Sequence, residues 1–372
     1  MLSTSLILTS AAALAAAAAA AASPSAYSAL VEPDTRSLDA IYQAARKENG
    51  TLQVFWGGDA GSQGDDLRTA WAAQYPDVKL NLTVDLSKYH DNRIDRAYQE
   101  GIHVADVAVL QTLQDFPRWK QEGKLLNYKP ATFDDILQDQ KDLDGAWYAC
   151  LVYNFGSILY DSTKLNASQV PSSFGDFAKP EWKGKLILTY PNDDDAVASL
   201  FALIVGRYGY QWLYDLANND IQWVRGTGTP GFQLIDSHNT TSKRVLSFTS
   251  YANADFLATK LPEAPEQYVS WAQTTGIIKD TPMPESAKLF VSWLTSNERQ
   301  NATAASGSSS VLTTLNERYG VSPYTSNATQ INDFRVFEQD RANVEWWKNL
   351  FEEVLGTPQG KSPTVVYPNP SS

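Results

Sequence analysis

Cysteine is almost missing from this chain: Cys150 is the single thiol in 372 residues. No disulfide can form within the molecule. Cys150 lies in the apolar run AWYACLVYNFG and reads as a small buried hydrophobe. Histidine is nearly as scarce. The three residues His90, His103 and His238 are scattered, and no CxxC pair accompanies them. A thiolate or multi-histidine zinc centre therefore lacks its ligands. Positive charge is in short supply too, with 30 Lys and Arg against 42 Asp and Glu, a net charge of −12. Phosphate backbones are gripped by clustered Lys and Arg, so the balance argues against nucleic acid as a partner. Beyond the N-terminus no apolar stretch approaches the ~20 residues of a membrane span, and no stable membrane insertion is expected. Neither a GxSxG elbow nor an HExxH pair occurs, and the Gly-rich GTGTPG is not followed by GKS or GKT. No cofactor is implied.

What is present begins with an Ala-rich apolar leader, Leu6 to Ala22, followed by Ser-Pro-Ser. It reads as a signal peptide over 1–22, cut after Ala22 or Ala26, although a basic n-region is missing. Six Asn-x-Ser/Thr sequons stand at Asn49, Asn81, Asn166, Asn239, Asn301 and Asn327, suggesting glycosylation along a eukaryotic secretory route. The product would be a secreted, extracellular monomer. Aromatic residues are plentiful, with 11 Trp and 18 Tyr. Most such rings in any globular protein fill the core, and some can stack on small organic ligands.

Periodicity gives strands alternating with helices. SLDAIYQAARKEN is helical, TLQVFW extended, DDLRTAWAAQYP helical, DVKLNLTVDL extended, and ADVAVLQT a buried strand. The middle of the chain repeats the theme, with LILTY as a strand and AVASLFALIVGRYG as an apolar helix. Residues 301–310 read as a loop, and the last helix runs from Glu338 to Leu355. Such alternation implies a largely parallel sheet covered on both faces. Ligands then bind beyond the carboxyl ends of strands. Three loops fall there: Trp56-Gly57-Gly58-Asp59, Asn192-Asp193-Asp194-Asp195, and Gly226 to Gly231 with Gly228 and Thr229. One aspartate of the second loop suits a helix N-cap. Three in a row exceed what capping needs and are at ease only when solvated or facing a cation.

In chain order, IYQAARKENGTLQVFWGGDA, AYQEGIHVADVAVLQT, YNFGSILYDSTKL, SSFGDFAKPEWKGKLILTYPNDDD and PESAKLFVSWLTSNERQ resemble the type 2 periplasmic solute-binding proteins. The likeness is to the subgroup for ferric iron, thiamine, polyamines and phosphonates, with this chain as a eukaryotic, fungal-like secreted member. It runs from about Leu38 to Gln300. It implies an α/β, two-lobed fold, each lobe a mostly parallel sheet flanked by helices, joined by crossing hinge strands. Lobe 1 would be 37–148 plus 269–300 and lobe 2 would be 149–268. A C-terminal helical segment, 301–355, would pack on the lobes ahead of a flexible tail, 356–372. The implied cleft adds Gln111, Thr112, Tyr153, Asn154, Tyr251, Trp271 and Gln273 to Trp56, Gly57, Gly58, Asp59, Asn192, Asp193, Asp194, Gly228 and Thr229.

The chain also departs from the subgroup. Ferric-binding members use two adjacent tyrosines, whereas here Tyr251 is followed by Ala252. Anion-binding members carry small hydroxyl residues where this chain has PNDDD, and carboxylates would repel a phosphate. With Trp56, Trp223, Tyr251 and Trp271, those acids suit a cationic or amine-bearing organic ligand. A binding protein without chemistry is thus the leading expectation. The alternatives are an enzyme on the same fold with Asp193 or Asp194 as acid or base, a metal binder with non-standard ligands, and a secreted interaction protein with a vestigial cleft.

Overall fold

The computed structural model describes residues 31–322 and 327–364. The leader, 1–22, lies outside the described residues. The first strand-helix units form as their sequence periods require. Ser37 caps α1 (Leu38–Ala45) by accepting from the Ala40 amide, and Ile41 and Ala45, four apart, turn inward. Strand β1 (Thr51–Gly57) follows, then α2 (Asp65–Gln74), β2 (Lys79–Asp85), α3 (Ser87–Glu100), β3 (Val107–Leu110), α4 (Asp115–Gln121) and the short β4 (Leu125–Leu126). Strand β5 (Tyr148–Phe155) leads out of this region into β6 (Ile158–Asp161), β7 (Ile187–Thr189), α5 (Asp195–Tyr208), α6 (Tyr210–Ala217), β8 (Gln222–Val224), α7 (Thr229–Ser237), β9 (Leu246–Ser247) and β10 (Leu257–Lys260). Strand β11 (Val269–Ile278) leads back. Helices α8 (Pro284–Leu294), α9 (Asn297–Ala305), α10 (Thr313–Tyr319), α11 (Ile331–Gln339) and α12 (Arg341–Leu355) complete the chain.

The larger sheet runs β2-β1-β3-β11-β4, with β5 also paired to β11. Only β1–β2 and β1–β3 are parallel, and β11 lies antiparallel to β3, β4 and β5. The expectation of a mostly parallel sheet is therefore corrected to a mixed one. The cause is the return path: β11 re-enters from the far lobe and meets β3 head to tail. In the second lobe β10-β6-β9 is antiparallel, and only β7–β8 is a parallel pair. Two large apolar clusters answer to the two lobes. One gathers Leu52, Val54, Trp71, Phe290 and Trp293, and the other Phe174, Phe201, Leu213, Phe248 and Phe351. Strands β5 and β11, paired from Val269↔Phe155 to Thr275↔Tyr148, contribute to both.

Three local readings change. GTGTPG was expected to remain loop, yet Thr229-Pro230 opens α7, because Pro is well placed in a helix's first turn. Residues 301–305 belong to α9, which Ser296 caps from the Arg299 amide. The last helix breaks at Asp340, whose side chain caps α12. Residues 356–364 of the expected tail are tied down. The Asn192 amide donates to the Gly356 carbonyl, Thr364 donates to Asp85, and Pro363 lies against Gly226. Residues 365–372 lie outside the described ones.

Candidate functional site

Strand ends and helix starts converge on a cavity of about 590 Å³ between the lobes. From β1 come Gly57, Gly58 and Asp59. Gly57 is required by close approach: a methyl there would run into the Ser87 hydroxyl and lie 3.2 Å from Gln273 Nε2. Gln111 and Thr112 follow β3, and Tyr153 and Asn154 come from β5. Trp271 sits opposite Tyr153 in the β5–β11 ladder, with ring centres 5.5 Å apart. Its indole N–H donates to Gln273 Oε1 at 3.0 Å, which fixes both side chains. Tyr251 stands at the edge, 67% exposed, its hydroxyl donating to Asn253.

Twelve of the sequence-derived residues line this cavity: Gly57, Gly58, Asp59, Gln111, Thr112, Tyr153, Asn154, Asp193, Asp194, Tyr251, Trp271 and Gln273. Four do not. Trp56 is 2% exposed, because alternation along β1 turns it with Leu52 and Val54 into the first apolar cluster. Asn192 is directed to Gly356. Gly228 backs onto Asp59 from behind, and the Thr229 hydroxyl bonds the Arg225 carbonyl.

The three consecutive aspartates have three different fates. Asp193 is 7% exposed and held by Lys88 Nζ at 2.9 Å and Arg225 Nη2 at 3.0 Å. Burial raises its pKa, but the two cations outweigh that and the net shift is downward. Asp194 caps α5, accepting from the Ala196 and Val197 amides at 2.9 and 3.1 Å. Burial, with Asp59 next to it, pushes Asp194 up to about 7. Asp195 is half-buried, and Lys348 and Arg341 hold it below the usual carboxylate value against the effect of burial. Asp59 is raised by burial despite hydrogen bonds from Thr227. Asp91, which lines the cavity beside Asp115, is pushed to about 9 by burial and by that neighbour.

Several contacts cross the cleft. Asp59 accepts from the Thr227 amide at 2.8 Å, Lys88 reaches Asp193, and Arg225 donates to the Tyr89 hydroxyl at 3.0 Å. Lys88, in the first turn of α3, was missed by sequence reasoning. The strand-end rule reaches it, since β2 ends at Asp85. Glu338, Arg341 and Lys348 carried no such signal, because they come from α11 and α12, with no strand before them.

A family model described as bacterial extracellular solute-binding protein matches residues 104–324, more than half of the chain. The chain belongs to that family. It is thus a ligand-capturing protein of a family that works outside the cytoplasm. An uncharacterized protein of Haemophilus influenzae is 24% identical over 248 residues, 60% of this chain and 70% of that one. Among solved structures, the substrate-binding protein of an ABC transporter from Agrobacterium tumefaciens superposes with a TM-score of 0.67 at 12% identity, covering 82% of this chain and 95% of that one. AfuA of Actinobacillus pleuropneumoniae, with fructose-6-phosphate bound, gives 0.62 at 17%, covering 82% and 99%. Iron-bound HitA of Pseudomonas aeruginosa gives 0.55 at 12%, covering 81% and 99%. At these identities the structures share the fold.

Proposed function

We propose that the chain captures a small, positively charged organic solute between its lobes and releases it unchanged. One observation carries this reading. The buried polar side-chain atoms that line the cavity without a hydrogen-bond partner, among the described residues, are all oxygens: Thr112 Oγ1, Gln114 Oε1 and both carboxylate oxygens of Glu338. A buried acceptor left unmatched costs ~1–3 kcal/mol, and a ligand rich in N–H donors would recover it. The side-chain chemistry agrees. Six acids, Asp59, Asp91, Asp193, Asp194, Asp195 and Glu338, line the cavity against Lys88, Arg341 and Lys348. The four that burial raises, Asp59, Asp91, Asp194 and Glu338, would ionise where a docked cation offsets that burial. A phosphate-bearing ligand would need those three cations, and each is already held by Asp193 or Asp195. For iron, the exposed Tyr251 has Ala252 rather than a second tyrosine beside it, and Tyr153, the other tyrosine lining the cavity, packs against Trp271. Among the described residues no group of three or more His, Cys, Asp or Glu is arranged to hold a metal ion.

Isothermal titration against thiamine, spermidine and glucosamine, with inorganic phosphate and ferric citrate alongside, tests this reading. A cation should bind and change the emission of Trp271. Binding of phosphate or iron with no response to any cation overturns it. We further infer export through removal of the 1–22 leader and glycosylation of the chain. Five sequons, at Asn49, Asn81, Asn166, Asn239 and Asn327, are exposed, and Asn301 is half-buried. The relatives named above are bacterial, so this eukaryotic route rests on the sequons alone. A drop in mass after glycosidase treatment checks it.

A further inference from the structure

The corner of the cavity farthest along the chain is built by the C-terminal helices, and its charges do not close. Glu338, in the last turn of α11, is 1% exposed and lines the cavity. Neither of its carboxylate oxygens meets a hydrogen-bond donor, and the side chain beside it is another acid, Asp195. The Arg341 Nη1 atom stands 3.8 Å away, but it makes its close contact, 2.8 Å, with Asp195. Lys348 is engaged by Asp195 as well. The charged groups facing Glu338 are therefore Asp195 from the start of α5, and Arg341 and Lys348 from α12. Both cations are committed to one of the acids. A buried carboxylate without a donor is among the costliest groups a protein can keep, so it stays protonated or awaits a cation.

We propose that Glu338 is the anchor for the ligand's ammonium or guanidinium group, so that selection for positive charge resides in α11. This rests on the reading of the cavity as a cation site and adds the residue that does the selecting. The position lies beyond residue 324, where the family match ends, which lets charge selectivity vary apart from the shared fold. Burial, with Asp195 beside it, raises the Glu338 pKa well above the ordinary value, so the empty site holds a proton. Docking of R–NH₃⁺ then converts Glu338–COOH to Glu338–COO⁻ paired with R–NH₃⁺, and the displaced proton goes to solvent. Capture is accordingly coupled to proton release, and affinity falls as the medium is acidified.

The test compares wild type with Glu338→Gln by titration calorimetry against thiamine, spermidine, glucosamine and neutral glucose. Two buffers of different ionisation enthalpy count the protons released. For the cation that binds wild type, E338Q should lose about tenfold or more in affinity. Proton release should fall from near one toward zero, and the response to glucose should not change. The variant keeps the side-chain shape, and its unliganded melting temperature, expected at or above that of wild type, shows that it folds. If a cation binds wild type and E338Q equally, with the same proton count, the Glu338 assignment falls while the cation cavity stands. If no cation binds wild type, the cavity reading falls and takes this assignment with it.

Discussion

The seam between the lobes and the corner under α11 and α12 are both acidic, buried and lined by the same cavity, yet they are built to opposite rules. At the seam the acids that face the opposite lobe are answered. Asp193 holds Lys88 across the gap and Arg225 beside it, Arg225 reaches Tyr89, and Asp59 takes the Thr227 amide. At the corner Asp195 takes the close contacts of both cations, and Glu338 keeps only Arg341 at 3.8 Å. Matched charge across a gap joins two bodies. A buried acid without a donor, facing a cavity, is a group that a docked cation would satisfy. Acid content alone therefore does not single out a ligand site, and the assignment proposed for Glu338 rests on its lacking a donor.

The largest expected break in this contrast is Asp193→Ala. It strips Lys88 and Arg225 of their counter-charge and should cost about 3 kcal/mol, as losing one member of a buried pair does. Urea denaturation measures it. A loss below ~0.5 kcal/mol would mean that the seam is no better matched than an exposed ion pair. Next comes pH. Asp194 titrates near 3.8 when unfolded and is pushed up to about 7 in the fold. A raised carboxyl favours the folded state in its protonated form. Its contribution is therefore complete below about pH 4 and is lost as pH climbs to about 7. Each unit is ~1.4 kcal/mol, so even half that shift amounts to ~2 kcal/mol. The unliganded protein should lose stability across this window, and Asp194→Asn, which keeps the N-cap, should flatten the slope. Thermal melts at stepped pH decide it, and an equal slope in the variant would place the loss elsewhere.

The contrast also separates what the chain discloses from what only its folding assembles. Local periods suffice for β1, α5 and the two crossing strands, because their apolar residues repeat at spacings that backbone geometry dictates. The rule that ligands sit at strand ends finds Asp59, Asp193 and Asp194, since their neighbours are near in sequence. It errs at Trp56, one residue from Gly57 but turned by the pleat into the core. It is blind to Glu338, whose neighbour Asp195 is 143 positions earlier in the chain. Three adjacent aspartates look alike in sequence. Lys88, the amides of α5, and Lys348 with Arg341 make them respectively a tie, a cap and a counter-ion. The mixed sheet escapes for a related reason: strand direction depends on where the chain re-enters, and β11 carries no local mark of it.

The smallest effect probes whether the C-terminal stretch belongs to the seam. Gly226 takes a left-handed backbone, φ +78°, directly before the Thr227 that binds Asp59, and Pro363 lies against it. On the other lobe Thr364 donates to Asp85, which Arg93 also holds at 2.6 Å. Residues 363 and 364 thus touch both sides of the gap. Thr364→Val removes only the hydroxyl's hydrogen bond. Asp85 keeps Arg93, so about 0.5–1 kcal/mol should be lost, in line with one modest hydrogen bond. Gly226→Ala should cost somewhat more, ~1–2 kcal/mol, from the left-handed strain, besides forcing the Pro363 ring away. If the stretch ties the lobes, the two losses will not add, because displacing Pro363 already loosens Thr364. A double mutant equal to the sum of the singles would mean that residues 363 and 364 rest on the seam without fastening it.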